Sequence, residues 1–401
     1  MTIKKIGCVI AYRKGHTNYG TSLVGYALVK KLQQLGYKVE IINYIKELSF
    51  PQKIAWVINS VRCGMGYQIF NRIKTKILLR SNTQYANNIG QRIVAVETYK
   101  SKKLIPLFKD YKGYNELCNF SKEYDAVIVG SDQVWLPQGL PSKFYNLLFV
   151  DESIRKVAYA SSFGVSVIPK FQHKATGEYL DRFYMIGVRE QRGKEIVESL
   201  SHQTAKVVVD PTLLLTREEW EKELLDDIST STNVNRKRAE QGGYIFCYFL
   251  GTNTDARKAA LDLKNKTGLK IITIRHMDEF VANDERFGDE APYNVDPNDF
   301  VRYIAHAEYV CTDSFHCTVF STLFHRQFMT FYRFSHISKT SRNSRIDSLF
   351  EILGISRNHV FSGNIDYINT SAPVFNSVAS SAASVPVPGK RASLARANTA
   401  R

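Results

Sequence analysis

Cysteine is sparse in this 401-residue chain, with six residues scattered as Cys8, Cys63, Cys118, Cys247, Cys311 and Cys317. None forms a CxxC pair, and no Cys/His group has zinc-ligand spacing. Reduced, mostly buried thiols are the expectation, and no metal is expected. Long apolar runs are missing too: none approaches the roughly 18 residues that a membrane span needs. The run Ile6–Tyr12 stops at Arg13-Lys14 and reads as a first strand rather than a signal peptide. A cytoplasmic protein is expected. Acidic residues are scarce between Pro51 and Lys112, where only Glu97 and Asp110 face a long series of lysines and arginines.

What is present describes a globular protein. Hydrophobic residues make up 44% and charged residues 23%, values that exclude general disorder. A chain of 401 residues is too long for one ordinary core, so two domains are expected. The net charge of +16 calls for an acidic partner: nucleic acid, an anionic membrane or a phosphorylated substrate.

The pattern of apolar runs and breakers alternates strands with helices. Lys5–Tyr12 reads as a strand, Ser22–Leu35 as a helix ended by Gly36, and Val39–Asn43 as the next strand. A long, basic, helical region follows. Ala126–Val129, Val157–Ala160, Met185–Val188 and Lys206–Val209 read as further strands, with a helix over Gln191–Leu200. A polar helix opens at Arg217, and the polar stretch Ser229–Gly243 marks the domain boundary. The rhythm then repeats, with strands at Tyr244–Leu250, Lys270–Ile274, Tyr309–Thr312 and Phe328–Phe331. Helices over Asp255–Lys266, Asp299–His306, His316–Phe324 and Arg345–Leu353 separate them, with Gly268 and Gly354 as caps. Such alternation predicts parallel sheets with helices on both faces, and ligands at the carboxyl ends of strands. The expected units are 1–225, 226–366, and a disordered Ser/Ala/Pro-rich basic tail over 367–401.

Four loops after strands could carry chemistry. In Thr312-Asp313-Ser314-Phe315-His316 a strand gives way to a helix through residues that cap well. The start of that helix offers free N–H groups to an anion, and His316 can donate a hydrogen bond or transfer a proton. A plain capped helix fits the same spacing equally. Asn18-Tyr19-Gly20, within a glycine-bounded loop after the first strand, suits close approach by a ligand, or is a simple turn. Gly130-Ser131-Asp132, followed by Gln133-Val134-Trp135, leaves another strand, where Trp135 stacks on a sugar or fills the core. Arg189, just past Met185–Val188, is placed to clamp a carboxylate or phosphate, or to pair with Glu190.

Taken together these segments resemble the polysaccharide pyruvyl transferase family. The likeness rests on Asn18-Tyr19-Gly20, Gly130–Trp135, Tyr159–Gly164, Val188-Arg189-Glu190, Asp210-Pro211-Thr212, Phe300–Glu308 and Thr312–His316, in the family's order. Cys317 departs from the family's usual glycine. The resemblance implies an α/β, GT-B-like fold, with two Rossmann-like domains facing across a cleft. The first would be the acceptor side and the second the phosphoenolpyruvate side. It implies phosphoenolpyruvate as donor substrate with no separate cofactor. The acceptor would be a sugar of a surface polysaccharide or of its lipid-linked precursor, converted to a pyruvate ketal. His316 and Asp313 would be catalytic. Arg189, Ser314, Phe315, Asn18, Tyr19, Gly20, Gly130, Ser131 and Asp132 would bind substrate. A GT-B glycosyltransferase using a nucleotide sugar is the alternative, and a non-catalytic glycan-binding relative a third reading.

The basic segment 51–112 begins with apolar residues interleaved with Lys and Arg over Pro51–Arg80. Such helices dock on the inner face of an anionic membrane, or are ordinary amphipathic helices with a solvated basic side. No recognition motif accompanies the charge, so nucleic acid is not expected.

Overall fold

A computed structural model of the protein describes residues 4–47, 49–64, 66–226, 232–277, 280–333 and 343–363, together with Ile365 and Ile368. The first half carries β1 (Lys5–Ile10), α1 (Tyr19–Gln34), β2 (Lys38–Ile45), α2 (Phe50–Arg62), α3 (Gly66–Ser81) and α4 (Thr83–Lys103). It continues through β3 (Phe108–Lys112), α5 (Gly113–Phe120), β4 (Ala126–Asp132), β5 (Arg155–Ser161), α6 (His173–Leu180), β6 (Met185–Val188), α7 (Gln191–Leu200) and β7 (Ala205–Val207). Two helices follow, α8 (Arg217–Asp226) and α9 (Thr232–Glu240). The second half is β8 (Tyr244–Tyr248), α10 (Thr254–Thr267), β9 (Lys270–Thr273), α11 (Pro297–His306), β10 (Tyr309–Thr312), α12 (Phe315–Leu323), β11 (Gln327–Thr330) and α13 (Ser344–Leu353).

These strands form two sheets: a seven-stranded one in the order β3-β2-β1-β4-β5-β6-β7 and a four-stranded one in the order β11-β10-β8-β9. Every pairing is parallel. Crossover helices cover both faces, as parallel strands require. The result is the two-unit α/β architecture, GT-B-like, that the sequence predicts. Strand order reverses between β1 and β4 in the first sheet and between β8 and β10 in the second. Those reversals splay the flanking loops apart and are where open sheets hold ligands.

One face of the first sheet and one face of the second share a continuous core, built from α1, α11 and α12. Tyr19 is the wedge between them. It is fully buried, stacks on Phe300 at 4.7 Å, and donates its hydroxyl to Val295 O at 3.0 Å. Such a ring pair contributes roughly 0.5–1.5 kcal/mol beyond its buried area. Arg92 on α4 adds a second fastening: its guanidinium donates to the carbonyls of Tyr293, Arg275 and Pro292 at 2.7–3.3 Å.

Two readings of the sequence need correction. Helix α1 starts at Tyr19, not Ser22, because Asn18 Oδ1 accepts from Thr21 N and draws Tyr19 and Gly20 into the first turn. The basic helical region ends in a strand, β3, whose Lys109, Asp110 and Lys112 are exposed while Tyr111 alone is buried. An edge strand with one buried residue carries no run of apolar residues to reveal it. The polar stretch Ser229–Gly243 holds α9, whose Asn235 donates to Asn294 O and Asp299 Oδ2. The expected tail lies outside the described residues, apart from Ile368, which is buried.

Candidate active site

Both strand-order reversals meet at one place. Helix α12 brings His316 up to the start of α1, so that a Cβ built on Gly20 would stand 2.0 Å from its Nδ1. Only glycine fits beneath the imidazole. His316 is 8% exposed, and its Nε2 points to Asp210, 3.6 Å from Oδ2. Asp210 follows β7 and is fixed by Thr212, whose N and Oγ1 donate to Oδ1 at 3.0 and 2.7 Å.

Arg189 binds the same carboxylate oxygen of Asp210. It is 2% exposed, and its Nη1 donates to Asp210 Oδ2 at 3.0 Å. Asp132 and Glu190 stand a little farther off, at 3.7 Å from Nη2 and 3.9 Å from Nε. Four polar atoms in this cluster have no hydrogen-bond partner among the described residues: Arg189 Nε, Arg189 Nη2, Glu190 Oε2 and His316 Nε2. Buried polar atoms are ordinarily satisfied, so a group of orphans converging on one point marks a place for a ligand.

The backbone is strained at the same point. Asp132 ends β4 with φ of 68°, a left-handed conformation rare outside glycine. Its carbonyl accepts from Val134 N at 2.8 Å and Ser162 N at 3.1 Å, and its Oδ2 accepts from Thr21 Oγ1 at 2.8 Å. On the neighbouring strand a register shift between Ala158 and Ser161 turns Ser162 toward Glu190, to which its hydroxyl donates at 2.6 Å.

The carboxyl groups are not electrically alike. Burial pushes all three toward the neutral form. For Asp210 this is outweighed by the His316 imidazole, Arg189 and the Thr212 N–H, and its carboxyl is held below the ordinary range. Asp132 is lowered as well, with Arg189, His316 and Thr21 overcoming burial. For Glu190 burial prevails over Arg189 and Ser162, and its carboxyl is raised. The Arg189 guanidinium is raised by Asp210, Asp132 and Glu190 despite its burial.

Phe315, buried at the start of α12, lies under Arg189 at 4.6 Å and under Arg345 of α13 at 5.8 Å, distances at which cation–π attraction acts. Beside it a narrow opening is lined by Asp313, Arg333, Asn343 and Arg345. The basic side chains therefore come from both halves of the chain. Among the described residues no group of three or more His, Cys, Asp or Glu is arranged to hold a metal ion.

Several residues singled out from sequence have other work. Asp313 neither caps α12 nor reaches His316. Its Oδ1 and Oδ2 accept from Leu250 N at 2.6 Å and Gly251 N at 2.8 Å, fastening the loop after β8. Ser314 is the cap, accepting from Cys317 N, and it is buried. Asn18 caps α1 and Tyr19 fills the core between the units. Gly130 makes room for Leu28, whose Cδ2 would meet an added Cβ at 2.1 Å. Ser131 is fully buried and stays at the site: its hydroxyl lies 3.0 Å from Ala160 O and 3.4 Å from Asp210 Oδ2. Trp135 is core, its Nε1 donating to Tyr145 O. Cys317 is fully buried, and burial raises its thiol. The structure thus gathers His316, Arg189, Phe315, Gly20 and Asp132, and adds Asp210, Glu190 and Arg345. Asp210 lies in one of the segments that carry the family resemblance. Nothing in its local pattern says that it faces His316.

A family model described as polysaccharide pyruvyl transferase matches residues 18–336, most of the chain. No curated protein matches the chain. Among solved structures it is similar to UDP-GlcNAc 2-epimerase from Neisseria meningitidis bound to UDP-GlcNAc, at 9% identity and a TM-score of 0.48, over 91% of this chain and 89% of that one. It is also similar to a putative UDP-N-acetylglucosamine 2-epimerase from Listeria monocytogenes, at 9% identity and a TM-score of 0.45, over 94% and 93%. Likenesses this distant say nothing about substrate.

Proposed function

The chain belongs to the polysaccharide pyruvyl transferase family, and from that premise we propose that it moves the enolpyruvyl group of phosphoenolpyruvate onto a sugar, closing a pyruvate ketal. The observation that carries this reading is the convergence of unpartnered donors on Arg189 and His316, with Arg345 close by. Phosphoenolpyruvate presents a phosphate and a carboxylate on a small frame, and two arginines and an imidazole suit that pair of anions. The start of α1 at Gly20 adds backbone N–H groups and a positive dipole end.

In this reading a proton reaches the methylene carbon of the donor and leaves an oxocarbenium-like centre at C2. One sugar hydroxyl adds there, the bond from C2 to the phosphate oxygen breaks, and a second hydroxyl closes the ketal. Of the two hydroxyl protons, one replaces that placed on the new methyl group and the other leaves with phosphate. His316 is the group suited to carry the proton, because its Nε2 has no hydrogen-bond partner among the described residues and faces Asp210. Asp210, held ionised, faces the ring and orients it. The test is phosphate release from phosphoenolpyruvate with sugar acceptors, run beside nucleotide sugars. Turnover with nucleotide sugars alone would overturn the assignment.

The acceptor is proposed to arrive at a membrane surface. Helix α2 is built inside out. Its Ser60 is buried, and its Asn59 donates to Gln138 O while accepting from Gln172, both at about 3 Å. Phe50, Val57, Ile58 and Val61 face solvent instead, joined on α3 by Phe70 and Ile77. Lys53, Arg62, Lys74 and Arg80 are exposed among them. An exposed apolar face ringed by cations complements an anionic bilayer. Among the described residues no helix is long and apolar enough to cross a membrane.

A further inference from the structure

At the carboxyl ends of β1 and β2 the first sheet opens into a pocket of about 90 Å³, lined by Tyr12, Asn43, Tyr44, Lys46, Phe144 and Tyr145 among others. One water needs roughly 10–15 Å³ on that scale, so the pocket takes a group of several heavy atoms. Its rings are set at angles to one another. Tyr44 meets Phe144 at 5.5 Å and 41°, and Phe144 meets Tyr145 at 5.1 Å and 59°. Tyr12 stands edge-on to Phe108 at 4.7 Å. Rings arranged in this way do not cover each other's faces as a parallel stack would. Polar groups stand among them: the phenols, the Lys46 ammonium, whose pKa burial lowers, and the Asn43 amide, which donates to Asp110 Oδ1 at 2.8 Å.

This mixture has a chemical counterpart. A pyranose offers a face of C–H bonds that lies against an aromatic ring, and a rim of hydroxyls that both donate and accept. Lys46 is the one cation among the lining residues, and Lys100, 5.5 Å from the Tyr12 ring, is engaged by Glu97 and two carbonyls, too little free charge for a nucleotide's phosphates; the phenols and ammonium are too polar for a lipid chain.

The cavity also adjoins the candidate active site. Burial raises the Tyr145 phenol; a hydrogen bond to the Tyr12 backbone opposes this and the charge of Asp132 adds to it. Ile10, which lines the cavity, pairs with Gly130, two residues before the Asp132 that faces Arg189, and Trp135 Nε1 donates to Tyr145 O at 3.1 Å. On the other side, Lys46 ends the segment that leads into α2, whose apolar face is exposed.

We propose that this cavity is the acceptor subsite, holding the pyranose ring that receives the enolpyruvyl group, with Tyr44 and Lys46 contributing to the choice of sugar. The proposal rests on the transferase reading, and its test separates the two. Saturation-transfer NMR with the methyl glycosides of galactose, glucose, mannose and N-acetylglucosamine is run on the wild type, Tyr44→Ala, Tyr44→Phe and Lys46→Ala. Phosphoenolpyruvate binding is measured on the same four proteins by calorimetry. The expected result is contact with at least one glycoside on the wild type. Affinity for it falls about tenfold in Tyr44→Ala, the effect of about 1.4 kcal/mol, and falls in Lys46→Ala. Tyr44→Phe retains most of it, and phosphoenolpyruvate affinity is the same in all four. Absence of glycoside contact on the wild type overturns the proposal. So does unchanged contact in Tyr44→Ala and Lys46→Ala, or a phosphoenolpyruvate affinity that falls in step with the sugar's. A wild type that binds glycoside as described yet releases no phosphate upholds the sugar site and removes the transferase reading.

Discussion

The imidazole of His316 lies so close to the backbone of Gly20 that a Cβ added there would stand 2.0 Å from its Nδ1. One residue comes from the second sheet's strand-to-helix turn and the other from the first turn of α1. The approach of the two halves is therefore measured at a single glycine.

Gly20→Ala should displace the imidazole while leaving both sheets intact. A shift near 1 Å at a reacting group costs on the order of 10²-fold in rate, and the overpacking costs about 1–3 kcal/mol. Steady-state phosphate release and thermal unfolding measure the two effects. A variant with wild-type turnover would show that His316 need not stand where it does.

His316→Ala and Asp313→Ala should behave differently. The first should lower kcat by roughly 10²–10⁴-fold, the usual range for general acid–base help, well beyond what its smaller Tm loss accounts for, since Arg189 still pairs with Asp210. The second leaves two loop N–H groups without their acceptor, at about 1–3 kcal/mol each where they stay buried. It should lower Tm first, and activity through it. Equal Tm losses in the two variants would contradict this division of roles.

Asp210 should link stability to pH in a defined direction. Its carboxyl is depressed in the folded protein, so the unfolded chain takes up a proton first as pH falls. The stabilisation is complete above the unfolded value, about 3.9, and drains away as pH drops from there toward the folded value. Removing one partner of a buried ion pair costs roughly 3–5 kcal/mol. The Tm gap between wild type and Asp210→Ala should thus be widest above about pH 5 and narrow below about pH 4. A gap that widens on acidification would reverse the assignment.

Flotation on liposomes checks the inside-out helix. Val61→Asp places a like charge among the exposed apolar side chains of α2 and should abolish binding to vesicles rich in anionic lipid. Turnover with a soluble acceptor should not change. Vesicle binding rests in part on exposed lysines and arginines worth about 1 kcal/mol each near an anionic surface, so salt should weaken the wild type as well.

Much of this arrangement is legible in the amino-acid order, and the illegible parts share a cause. The strand-to-helix turn at His316 is visible because an apolar strand, three capping side chains and an apolar helix are contiguous. Arg189 is visible because it follows a buried strand. Asp210 has no such signature: its carboxylate becomes a partner of His316 only after two sheets are packed together. The same holds for Tyr19. A residue between a capping Asn18 and Gly20 looks available to a ligand, yet the cap winds it into α1 and points it into the core. Asp313 sits one residue before the true cap, and its carboxylate is claimed by a loop from another strand. The edge strand β3 stays hidden because only Tyr111 is buried along it.

The grip of Arg92 has a consequence for how pieces of such proteins could be exchanged. All three of its bonds end on main-chain carbonyls, those of Tyr293, Arg275 and Pro292. It therefore recognises the course of the chain and not the identity of any side chain. Positions 275, 292 and 293 are free to vary as far as this contact is concerned, provided the chain follows the same path. A chimera joining this first half to a relative's second half would keep the fastening on path alone, whereas loss of Arg92 would release it from either partner.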